Sequence, residues 1–206
     1  MLETVNAGLD LIISQTKANA STLAVILFVP WLVFALNAIV GKRLFWLGIF
    51  PRRLHGLWGI LFSPFLHANF NHLFFNSIPL LVLSNFVLID GLPIFLEVTA
   101  IIMLLSGLLL WCFGKSGLHI GASALITGYW GFLVSNILQQ GTFKAIILGV
   151  ISLYYFAGIF LGIFPGKKGV SWEGHLFGLL AGLAASYIIP WLIRFGYQDI
   201  YLQLFV

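Results

Sequence analysis

The chain predicts an all-α membrane protein, a six-transmembrane-helix bundle with a first loop embedded in the membrane. Three observations carry this. Of 206 residues, 61% are hydrophobic and 8% charged, and ten Lys and Arg with six Asp and Glu cannot cover a soluble surface of that size. Mean hydropathy is +1.07, so lipid is the expected solvent. A span takes roughly 20 apolar residues, so a chain of roughly 200 residues allows about six helices joined by short loops. Residues 1–206 therefore read as a single integral membrane domain, with 1–20 as a short N-terminal interfacial or cytoplasmic segment.

The elements follow in order. The opening stretch carries Glu3 and Asp10 and lacks a basic region ahead of its apolar run, so it does not read as a cleaved signal peptide. Residues 2–18, with apolar positions at mixed helical spacing, read as a short interfacial helix. The first span runs from Leu23 to Val40 and stops at Gly41-Lys42-Arg43. Residues 41–68 mix Phe45, Trp46, Phe50, Trp58, Phe62 and Phe65 with Pro51, Arg52, Arg53 and Pro64. That stretch is too broken to span and too apolar for water, which suits a loop half sunk in the leaflet, its bases meeting lipid headgroups. Further spans run from about Asn69 to Leu88, Pro93 to Phe113, Gly121 to Leu138, Phe143 to Phe164 and Trp172 to Ile193. The fifth stops at Pro165-Gly166-Lys167-Lys168. Cys112 is the only cysteine, which excludes an internal disulfide and reads as packing.

Polar side chains in hydrocarbon are costly, so those that persist mark a cavity or a partner. Three clusters stand out: His67-x4-His72-x3-Asn76, Gly121-Ala122-Ser123, and Gly174-His175-x2-Gly178-x3-Gly182. His72 and Asn76 are four apart, so one helix face carries two donors aimed at one point. Ser123 falls in the first turn of its helix, where free N–H groups favour a developing negative charge. His175, Gly178 and Gly182 share a face that another helix can approach closely, and Gly131 lies on the serine's side of its own helix. A nucleophile, a base and two oxyanion donors are thus spread over three helices. Glu173, two residues before His175, points to a different side, which favours a Ser-His dyad over a triad.

These motifs, on the second, fourth and sixth of six spans, resemble those of the rhomboid family of intramembrane serine proteases, from the first span to the last. The resemblance implies a six-helix rhomboid-like bundle and a membrane-embedded first loop. It makes Ser123 the nucleophile and His175 the general base and later acid. The oxyanion would be held by the Ser123 backbone N–H, His72 and Asn76. Cleavage of single-span transmembrane proteins, through an acyl-enzyme and without cofactor, is the implied activity. Three departures stand out. Ala124 follows the serine where the family often has glycine, and Thr127 stands where many members have a tyrosine against the catalytic histidine. The family's frequent Trp-Arg pair in the first loop is not evident. The tyrosine departure bears on the orientation of His175 rather than on its identity.

Alternative readings weigh on the same residues. Ser123 alone is also a normal helix cap, and the glycines alone are packing devices. His67 lines the same cavity or holds the loop, the structural role being the favoured reading; His119 reads as a contact of water or backbone, and His55 as interfacial. Asp90 and Glu97 read as membrane-surface residues. A metal site is disfavoured, because no HxxH or HxxxH pair or cysteine ligand accompanies the histidines. A formal charge of +4 scattered over loops points to lipid rather than nucleic acid. Two rivals remain: a pseudoprotease that binds transmembrane helices without cutting them, and a small transporter using the histidines as proton carriers.

The expected location is the bacterial inner membrane. Orientation draws on two conflicting criteria. The resemblance puts both termini in the cytoplasm and leaves Lys42, Arg43, Arg52, Arg53, Lys115, Lys167 and Lys168 outside, whereas the positive-inside rule prefers the reverse. The first is adopted, because an embedded loop can give its bases to headgroups.

Overall fold

The computed structural model of the chain describes residues 2–165 and 171–195; Gly166, Lys167, Lys168 and the tail beyond 195 lie outside the described residues. The apolar runs of the sequence become helices almost throughout. α1 (Leu2–Ala18) leads through Asn19 into α2 (Ala20–Ile39). The first loop contains the short helix α3 (Gly59–Phe62), with 3₁₀ turns at Arg43–Leu47, Leu54–Trp58 and Ser63–Phe65. Then come α4 (Phe70–Leu88), α5 (Leu92–Phe113), α6 (Ser123–Gln140) and α7 (Phe143–Phe156). α7 tightens into 3₁₀ geometry over Ala157–Ile163, and α8 (Trp172–Phe195) follows.

Five of these are long and apolar enough to cross a membrane: α2, α4, α5, α7 with its 3₁₀ continuation, and α8. The fourth predicted span, α6, is not among them. Its position supplies the reason. α6 packs against α4, α5, α7 and α8, and every residue from Leu125 to Leu133 is buried. A helix walled in by protein needs partners for its polar groups more than it needs hydrophobicity. Tyr129 hydrogen-bonds Thr99 of α5 through their hydroxyls at 2.6 Å, Trp130 Nε1 donates to the Ser152 carbonyl of α7 at 3.0 Å, and Ser135 pairs with Ser186 of α8 at 2.8 Å. The outer helices instead expose large apolar side chains, among them Phe28, Phe75, Leu104 and Trp191.

α6 and α8 lie closest together and run parallel. A Cβ at Gly178 would strike the Ala124 carbonyl, and one at Gly182 the Gly128 carbonyl, so both contacts keep an offset of 54 residues. The predicted glycine seam is therefore a backbone-to-backbone contact.

The first loop is compact and outwardly apolar, with Trp46, Leu54, Trp58, Leu61 and Phe62 exposed. Two expectations for its surroundings change. Arg52 does not extend freely to headgroups: its guanidinium donates to the carbonyls of Cys112 (3.2 Å) and Gly114 (2.8 Å) and to Ser116 Oγ (3.1 Å), at the C-terminal end of α5. That end leaves carbonyls without helical donors, and a cation is favoured there. Cys112, expected to pack, is exposed. Asp90, in the α4–α5 connection, is ion-paired with Lys144 in the first turn of α7.

Candidate active site

The first turns of α4, α6 and α8 meet on one side of the bundle, and each is shaped by local chemistry. Asn69 caps α4, its side-chain oxygen accepting from the His72 N–H at 2.9 Å. This starts the helix so that His72 and Asn76 occupy successive turns of one face. Gly121, just before α6, has φ +118°, a conformation open to glycine and strained for other residues. Its missing side chain also leaves room for its neighbours. A Cβ there would lie 2.6 Å from His72 Cε1 and 3.6 Å from Asn76 Nδ2. The Gly121-Ala122-Ser123 entry to α6 is thereby pressed against the two candidate oxyanion donors.

Ser123 is the first residue of α6 and is half-buried. Its own carbonyl accepts from the Thr127 hydroxyl at 2.7 Å. The 54-residue register of the seam sets His175 level with Gly121, two residues and about 3 Å along the axis from Ser123. His175 is also near enough to His72 for the two rings to interact electrostatically. The four predicted residues thus gather at one place. Among the described residues, Ser123 Oγ makes no hydrogen bond to His175, and such bonds commonly tighten only when substrate arrives.

His175 is oriented from its other nitrogen. Nδ1 lies 2.9 Å from the Ser171 carbonyl oxygen, which can only accept, so Nδ1 carries the proton and Nε2 is left bare. The backbone of Gly162, in the 3₁₀ end of α7, lies against the ring: a Cβ there would be 2.9 Å from Cδ2 and 3.2 Å from Nε2. Thr127 does not take the place of a stacking tyrosine; it is fully buried and bonded along its own helix.

His67, read from the sequence as structural before a cavity-lining alternative, touches both oxyanion candidates. Its Nε2 is 3.2 Å from Asn76 Nδ2, and its ring meets His72 edge-on with centroids 5.0 Å apart. It is 1% exposed. Burial, with the neighbouring His72 second, lowers its pKa to about 4, so it is neutral at physiological pH. Ser171 went unnoticed in the sequence, although a serine immediately before the first residue of an apolar helix is a capping signal. Behind Ser123, Ser63, Ser106, His119 and Ser171 line a small cavity of about 30 Å³, large enough for a water molecule.

Helices long enough to span, enclosing a serine, a histidine and paired donors, define a polytopic membrane protein with an internal polar site. Comparison with known proteins agrees with that class. The rhomboid domain family model matches residues 54–191, two thirds of the chain. Uncharacterized protein Rv1337 of Mycobacterium tuberculosis is 41% identical over 180 residues, covering 83% of this chain and 75% of that protein. Uncharacterized protein Mb1372 of Mycobacterium bovis matches to the same extent. Uncharacterized protein ML1171 of Mycobacterium leprae is 41% identical over 143 residues, 65% of this chain and 56% of its own length. The chain belongs to the rhomboid family and is an integral membrane protein.

Proposed function

We propose that this protein is an intramembrane serine endopeptidase that cleaves single-span transmembrane proteins in or near the membrane. The observation that carries the reading is the junction at Gly121, where the entry to Ser123 abuts His72 and Asn76 while the glycine seam brings His175 level with it. Family membership supports the same class. In this reading α6, about 27 Å long, is the fourth of six spans in a single domain, and the first loop sits in the outer leaflet. The mycobacterial relatives support a bacterial plasma membrane.

The chemistry follows from the atoms. His175 Nε2 takes the Ser123 proton as Oγ attacks the scissile carbonyl. The oxyanion that forms is met by the Ser123 N–H at the start of α6 and by His72 and Asn76. The imidazolium, its Nδ1–H held by the Ser171 carbonyl, returns the proton to the leaving amine. Water then attacks the acyl-enzyme as His175 accepts its proton, and that proton passes to Ser123 Oγ as the ester bond breaks and the acid product leaves. Substrates whose helices open easily, at Gly or Pro, are cut best, because an intact helix shields its carbonyls.

The deciding experiment is a serine-directed fluorophosphonate label alongside cleavage of a model transmembrane substrate. Ser123→Ala and His175→Ala should each lower cleavage by at least about 10³-fold, and Ser123→Ala should abolish the label. A wild-type protein that binds transmembrane helices but takes no label is instead the non-cleaving pseudoprotease. Near wild-type cleavage by either variant removes the assigned roles.

A further inference from the structure

His119 occupies an unusual position, joined to three separate elements. Its backbone N–H and carbonyl exchange hydrogen bonds with Ile49 of the first loop, at 2.9 and 3.0 Å. Its ring Nε2 is 2.8 Å from the Lys115 carbonyl, and its Nδ1 is 2.8 Å from Ser171 Oγ. The proton positions are determined by what each atom can do. A carbonyl only accepts, so Nε2 carries the hydrogen; in the neutral ring Nδ1 is then an acceptor, and Ser171 must donate to it. With its hydrogen committed, Ser171 Oγ has lone pairs left for the Gly174 N–H at 3.2 Å, the cap of α8. The Ser171 carbonyl takes the Nδ1–H of His175. The chain of bonds therefore runs from the connection entering α6 to the imidazole on α8.

A second tether runs beside it. Lys115 Nζ is 3.8 Å from Glu173, which is 5% exposed, and lies 5.5 Å from the centre of the Trp172 ring. The α5–α6 connection is thus fastened to the first turn of α8 at Ser171, Trp172 and Glu173. Ser123 and His175 are therefore registered by this clamp above the glycine seam as well as by the seam itself.

We propose that His119 and Ser171 are positioning residues for the base, locking His175 as its Nδ1–H tautomer and setting its Nε2 toward Ser123. This rests on the protease reading above and deepens it: the place of the acidic third member of a triad is filled by a backbone carbonyl, fixed in turn by a histidine on the nucleophile's approach. A free imidazole is not confined to the Nδ1–H form, so relaxing the clamp misplaces the proton as well as the ring.

Two pairs of variants separate positioning from mere folding. His119→Phe keeps the ring volume and loses both ring bonds, whereas His119→Asn keeps an acceptor near Nδ1. Ser171→Ala loses the cap and the link to His119, whereas Ser171→Thr keeps both. Fluorophosphonate labelling and substrate turnover should slow about 10- to 100-fold in His119→Phe and Ser171→Ala, with KM little changed. His119→Asn and Ser171→Thr should restore most of the rate. The ¹⁵N spectrum of histidine-labelled protein, with the His175 signals identified by their loss in His175→Ala, should report Nδ1–H in the wild type and a shift toward Nε2–H in His119→Phe. Wild-type rates in His119→Phe, or equal losses in all four variants with a lowered unfolding midpoint, overturn the proposal. So does an Nε2–H wild-type His175. Failure of the wild type to take the label refutes the protease reading, and the tautomer then still decides whether the clamp orients His175.

Discussion

Gly178 of α8 rests on the carbonyl of Ala124 in α6, one residue past Ser123, with no space for a side chain between them. The parallel register that levels His175 with Ser123 depends on that contact. Gly178→Ala should drive the helices apart at the site, lowering cleavage about 100-fold and costing about 1–3 kcal/mol of stability. Gly158→Ala is the matched control, because a Cβ there has no neighbour within 4 Å. Side-by-side cleavage rates and denaturation of the two variants in detergent check this; an active Gly178→Ala would show that the seam does not set the dyad.

Gly121 joins two demands at one residue, a φ of +118° and a Cβ position already taken by the His72 ring. Gly121→Ala should spare the seam and the core while displacing His72 and Asn76 from the proposed oxyanion position. The expected loss is about 10²–10³-fold in kcat with KM little affected, the size of losing a donor to the transition state. Steady-state kinetics on a transmembrane substrate measure the split, and a loss confined to KM would place Gly121 in substrate binding instead.

Much of this was legible in the sequence because spanning helices declare themselves by composition. The outer helices read directly from their apolar runs. α6 was readable as a helix, but its hydropathy is that of a helix facing protein, and no local signal says what will surround it. The close approach of Gly178 and Gly182 to α6 followed from their spacing, whereas their partners, Ala124 and Gly128, required the register. His119 and Ser171 were out of reach for a different reason. They are 52 residues apart, and their bond depends on how two connections fold over the helix ends. Arg52 looked like a headgroup ligand because an arginine among aromatics usually is, and only the fold reveals the open carbonyls of α5 beside it.

Arg52 is exposed, yet its fork reaches two backbone carbonyls and a hydroxyl, and its own backbone sits at φ +61°. Arg52→Lys keeps the charge and loses the fork geometry, so it should recover little of what Arg52→Ala loses. We expect a cost on the order of 1 kcal/mol and faster proteolysis within residues 41–68. Limited proteolysis of reconstituted protein tests this, and a fully protected Arg52→Ala loop would mean that the apolar contacts of the loop hold it unaided.

His67 supplies a pH signature that precedes any assay of cleavage. Burial holds its pKa at about 4, below the ordinary value near 6.5, so the folded state favours the neutral ring. Protons therefore bind the unfolded chain more readily between these values. The stability contributed by His67 is complete above about pH 6.5 and declines as pH falls toward about 4, by an amount on the order of a few kcal/mol. His67→Gln retains a group able to hydrogen-bond Asn76 but cannot titrate. Its unfolding midpoint should fall less than that of the wild type between pH 6.5 and 4, because the ring held neutral beside Asn76 has been removed. Parallel pH profiles for the two proteins would show that His67 is not held neutral beside Asn76.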